Sequence, residues 1–217
     1  MDFRQLFTCF LEIMLGSFIL MSIVYIAFPQ SRVLYIGEDM LIENTGALFF
    51  LTTFLLGLLF LPNQKGEKGF KALIIITLFG LIGFLEEISY GERIFNLNMP
   101  HYFGVKFDAI HDLFHVASME LYELLGNSKI ILISIFITVL IVLSLALLKY
   151  KNRLLQHPYF LFLFLSFVLG FVASIIDLVL FDKKWLFLFE ELLEMNAALA
   201  LVFAVLSIFA LDSEKIE

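Results

Sequence analysis

The chain has 217 residues, 61% of them hydrophobic and 16% charged, with a formal net charge of −7. That leaves too little polar surface to coat a soluble globule, so most of the chain must meet lipid. The acidic balance, with the 14 Lys and Arg scattered in twos and threes, excludes nucleic acid as a partner, because phosphate binding needs a basic footprint.

Crossing a hydrocarbon core of about 30 Å at 1.5 Å per residue takes about 20 apolar residues. The first stretch to come close runs roughly from Leu6 to Phe28. It is longer than a secretory apolar region, carries Glu12 and lacks a small-residue cleavage site, so it reads as a retained helix. Glu12 is a lone acid expected to hydrogen-bond within the bundle. Cys9, the one cysteine, lies in the same run with no second thiol for a disulfide or a zinc site. Further stretches run from about Met40 to Pro62 and from Phe70 to Ile88. A long polar insert follows, Ser89 to Lys129, whose second half, Phe107 to Leu125, has apolar residues at helical spacing and predicts a helix lying against the bundle. The last three stretches cover Ile130 to Leu148, Pro158 to Phe181 and Trp185 to Leu211. The expected fold is therefore all-α: one transmembrane domain over residues 1–217, an integral membrane bundle of about six transmembrane helices with an amphipathic helix in the long third connection.

Orientation follows from the positive charges in short connections. Lys65, Lys68 and Lys71 lie in the second and Lys149, Lys151 and Arg153 in the fourth, on one side if every stretch spans. That side is expected to be cytoplasmic, with both termini, in the cell membrane.

The same alternation sends most of the 21 acids to the outward helix ends. Glu38, Asp39, Glu120, Glu123 and Asp182 read as solvated. Glu43, Glu86, Glu87, Asp177 and Glu194 lie about a turn inside apolar runs, with Glu191 beside Glu194. An ionisable side chain at that depth costs several kcal/mol unless it is paired, protonated, metal-bound or in a wet cavity. Glu43, Asp177, Glu191 and Glu194 are therefore candidates for binding a substrate or an ion.

In the insert, His111 and His115 are four apart in HDLFH, a spacing that puts both imidazoles on one helix face within reach of one metal. Asp108 lies three residues before His111 on an adjoining face. With a further carboxylate such as Glu87, Asp177 or Glu194, this set suits a divalent ion such as zinc with a position left for water. The alternative is histidines that only hydrogen-bond neighbouring acids. Arg93 follows Glu86 by nearly two helical turns and is either a structural counter-charge or a holder of an anionic substrate group.

At EEISYGERIF, residues 86–95, the chain resembles a family of uncharacterised bacterial multi-pass membrane proteins with an EEISWGQRIFG-like motif followed by an acid and a His-Asn pair. The resemblance singles out Glu86, Glu87, Ser89, Glu92, Arg93, Asp108 and His111. Tyr90 stands where that motif has tryptophan, Glu92 where it has glutamine, and Asp112 where it has asparagine. More distantly, Glu86-Glu87 and the Phe107 to His111 segment are similar to the EExxxR and FxxxH motifs of the CAAX-type intramembrane glutamate proteases. Five residues separate Glu87 from Arg93 where that family has three. This likeness implies a hydrolase in which Glu86, Glu87 and Arg93 are catalytic.

Two functional classes, with a third beside them, follow from these residues. One is a metal- or glutamate-dependent hydrolase of a lipid or membrane peptide: Glu87 activates water, His111, His115 and Asp108 hold the ion, and Arg93 orients substrate. Another is a non-catalytic protein that binds or conducts a cation or protons through its carboxylates. The third is an accessory subunit of a membrane complex. Expected partners are the lipid bilayer and either a second copy or another membrane protein.

Overall fold

The computed structural model describes residues 2–35, 40–65, 69–91, 157–180 and 184–213, with isolated positions between 95 and 149. Within them the chain forms α1 (Phe3–Ala27), α2 (Leu41–Phe60), α3 (Phe70–Glu87), α4 (Pro158–Leu180) and α5 (Lys184–Ser213). A two-residue antiparallel pairing, His101–Tyr102 with Val105–Lys106, lies in the insert. Four helical stretches are long and apolar enough to cross a membrane: α1, α2 with the 3₁₀ turn after it, α4 and α5. The chain is a helical membrane protein.

Six spans were expected, and α3 falls short of the other four for a physical reason. Its 18 residues reach about 27 Å, with Lys71 near one end and Glu86 and Glu87 at the other. Of the fourth expected span, Ile130 to Leu148, and the expected amphipathic helix, Phe107 to Leu125, only single helical positions such as Val116 and Thr138 fall within the described residues.

α1 starts with a capping box: Asp2 Oδ1 accepts from the Gln5 backbone N–H at 2.8 Å, and Gln5 Oε1 accepts from the Asp2 N–H at 3.1 Å. At its other end the exposed carbonyls are covered from the following 3₁₀ turn. Arg32 Nε donates to the Tyr25 carbonyl at 2.9 Å with its guanidinium 3.9 Å above the Tyr25 ring, and the Tyr35 hydroxyl lies 3.2 Å from the carbonyl oxygens of Val24 and Phe28.

α5 is the central helix. It is buried over most of its length and touches α1, α2, α3 and α4. Near the start of α1 the core is aromatic: the rings of Phe10, Phe162 and Phe203 meet pairwise at 5.6 to 5.7 Å between centroids. Near the start of α5 a second core joins Ile42, Leu188, Leu192 and Met195 to Phe18, Met21 and Tyr25. The beginning of α2 and the beginning of α5 therefore lie at the same end as the finish of α1. Between the two cores, Asn196 Nδ2 donates to Ser17 Oγ at 3.1 Å and to the Leu192 carbonyl at 2.6 Å, tying α5 to α1.

α2 and α3 pack as an antiparallel pair along a seam of glycines. A Cβ on Gly57 would run into Thr77, and one on Gly80 would come within 2.8 Å of the Phe54 backbone nitrogen. Van der Waals contact and close backbone approach, rather than exclusion from water, hold helices together in lipid, so the small residues belong at this seam. The Thr53 and Thr77 hydroxyls are satisfied within their own helices, by the carbonyls of Phe49 and Leu73.

Candidate functional site

The end of the bundle carrying the second core gathers acids from helices far apart in sequence. Glu43 lies in the first turn of α2, and Glu86 and Glu87 close α3. Asp177 is in the last turn of α4, and Glu190, Glu191 and Glu194 lie on consecutive turns near the start of α5. Gly46, one turn after Glu43, makes room for the α3 acid: a Cβ there would sit 3.6 Å from Glu87 Oε1 and 3.6 Å from the Met195 Cα. Glu87 is thus laid over α2 where that helix meets α5.

Electrostatics defines the group. The carboxylates acting on Glu87 are, in descending order, those of Glu194, Glu43, Glu191 and Glu86. Those acting on Glu190 are Glu194, Glu191, Asp177 and Glu43. Glu190 and Glu191 are 8% and 7% exposed. Glu43, Glu86, Glu87, Asp177 and Glu194 are half-buried around them, and buried carboxylates that interact with one another favour positive charge among them, from protons, cations or basic side chains.

Immediately after Glu87 the backbone turns through two left-handed residues, Ser89 (φ 48°) and Tyr90 (φ 51°). This conformation is costly for a residue with a Cβ. It buries Ser89 and leaves Tyr90 at the rim. Burial, and then the Glu86 carboxylate, push the Tyr90 phenol above its ordinary value.

Of the residues singled out from sequence, the structure brings together Glu43, Glu86, Glu87, Asp177, Glu191 and Glu194. Arg93, Asp108, His111 and His115 lie outside the described residues. Among the described residues, no group of three or more His, Cys, Asp or Glu side chains is arranged to hold a metal ion. Glu12 departs from its expectation: it faces outward from α1 rather than bonding within the bundle. Cys9 is half-buried against the aromatic core.

The sequence reading did not single out Glu190 or Asn196. Glu190 stands four residues before Glu194, a spacing that puts both on one helix face. Asn196 interrupts an otherwise apolar run, which is the sequence sign of an interhelical bond, and it is fully buried.

Comparison of the chain with known protein families, curated proteins and solved structures returned no match.

Proposed function

We propose that this is a non-catalytic membrane protein that binds and passes protons or small cations through the carboxylate cluster. The observation that carries the reading is the convergence of Glu43, Glu86, Glu87, Asp177, Glu190, Glu191 and Glu194, from four helices, at one end of a bundle with apolar walls. Intramembrane acids commonly mark ion or proton routes. Buried polar side chains continue beyond the cluster, with Asn196 midway along α5, Thr53 and Thr77 on the α2–α3 seam, and Gln64 and Ser207 toward the opposite end. They give a moving charge polar groups along the bundle interior. The hydrolase reading, with or without zinc, shares Glu86 and Glu87 with this one and needs in addition Arg93, Asp108, His111 and His115, which lie outside the described residues.

In this reading the end bearing Lys65 and Lys71 faces the cytoplasm of a cell membrane and the acids face outward. The test is flux. Purified chain in proteoliposomes, with a pH-sensitive dye inside and an imposed gradient, should pass protons or a monovalent cation faster than empty vesicles. Glu43→Gln and Glu194→Gln should each abolish the excess while the protein still elutes as a folded species. Flux no greater than that of empty vesicles would overturn the proposal, as would flux unchanged in both variants.

A further inference from the structure

Away from the cluster, α1 presents a second feature that the proposed function does not use. Gln5, Thr8, Glu12, Gly16, Ile19, Ile23 and Ile26 follow one another at intervals of three and four residues, so they lie along one stripe of the helix. Every one of them is exposed. The opposite side of α1, with Leu6, Phe10 and Ser17, is the side packed on α4 and α5.

Within this stripe Glu12 is in a place lipid does not tolerate. It lies about 14 Å from the start of a helix about 37 Å long, and so within about 5 Å of the helix midpoint. A carboxyl at that depth, facing acyl chains, costs several kcal/mol unless a polar group covers it. Yet Glu12 makes no hydrogen bond or ion pair among the described residues, nor does the hydroxyl of Thr8 one turn before it. Gly16, one turn after Glu12, has open space above it: a Cβ there would meet nothing within 4 Å.

We propose that this stripe is the interface of a homodimer, formed by parallel packing of α1 against α1 of a second copy. The stripe is self-complementary, which is what favours a second copy over another occupant. Helical side chains lean toward the N-terminus, so Glu12 of one protomer reaches toward Thr8 of its partner, an acceptor meeting a donor. The two-fold axis repeats that bond. The pair of Gly16 residues lets the two backbones approach closely enough for it to form, as small residues do elsewhere in membrane dimers. Copies inserted with the same topology necessarily present α1 in parallel. The interface is separate from the carboxylate cluster and does not depend on the function proposed for it.

The experiment uses the full chain in its native membrane, with Cys9→Ala as background and a single new cysteine. Oxidative cross-linking should give a dimer band with Ile19→Cys, on the stripe. Little should form with Ile13→Cys, which is also exposed but lies about 100° around the helix. Adding Glu12→Leu to the Ile19→Cys chain should lower dimer formation about tenfold, and Gly16→Leu should do the same by a different route. Both changes are on an exposed face, so circular dichroism should show an unaltered helical fold. Equal cross-linking at Ile13→Cys and Ile19→Cys would overturn the proposal, as would no dimer at Ile19→Cys. Cross-linking at Ile19→Cys to a different protein would replace the second copy with a heterologous helix and would equally overturn it.

Discussion

Tyr90 shows how much a single residue at the end of α3 is asked to do. The two apolar turns before Glu86 carry the chain up through the bundle, and the left-handed pair Ser89 and Tyr90 turns it aside directly after Glu87. The turn was legible only in part, since Gly91 is the residue that adopts positive φ without penalty and the strained positions are the two before it. Ser89, the first residue of the polar insert, is also the first residue past the cap of α3. Tyr90 reports on the cluster from its rim. Its phenol is raised above 10.0 by burial first and by the Glu86 carboxylate second. The neutral form is therefore the one the fold favours. Its contribution to stability is complete below the ordinary tyrosine value and is lost as pH rises through the raised one. An ultraviolet titration of the native chain, taken as a difference against Tyr90→Phe, should place Tyr90 above the ordinary value. Glu86→Gln should bring it part of the way down. No movement on that substitution would separate Tyr90 from the cluster.

At the scale of elements, the long apolar runs were readable because lipid imposes length and composition together. The first, second, third, fifth and sixth expected spans each correspond to a helix whose ends fall within a few residues of the expected ones. What hydropathy does not contain is which helices approach closely. The α2–α3 seam depends on Gly57 and Gly80 meeting Thr77 and the Phe50 to Phe54 backbone, and glycine scores as neither strongly apolar nor polar. The centrality of α5 was similarly hidden, since its apolar run is no richer than that of α4. The seam makes a graded prediction. Gly80→Val forces the helices apart and should destabilise the chain by about 1–3 kcal/mol, measured by reversible unfolding in mixed micelles. Gly170→Ala, where a Cβ would sit 3.9 Å from the Ala197 Cβ in ordinary contact, should cost little or nothing. Equal effects would mean that the seam is looser than the glycine contacts require.

At the scale of the whole molecule, the gathering of acids was legible because the acids stand at the ends of the apolar runs, which an alternating chain would bring to one level. The acids sit at the start of α2, the end of α3, the end of α4 and the start of α5, the ends that the expected six-span alternation assigns to one level. Sequence could not rank the acids within the group, because ranking depends on which faces turn inward, and so Glu190 was passed over. That Glu12 faces outward was hidden for the related reason that a single helix sequence does not say which side is packed. The same level of the membrane collects charge in the fold and, in the function proposed, exchanges it.

The most direct test of that claim is to count protons exchanged by the chain in lipid nanodiscs after a small pH jump. The comparison is with Glu87→Gln, Glu190→Gln and Glu191→Gln combined in one folded variant. The native chain should exchange protons which the variant does not, and a monovalent cation added to the native chain should alter the number. Identical proton exchange in the two, with no effect of cation, would mean that the carboxylate cluster does not take up positive charge from solution, and would contradict the account.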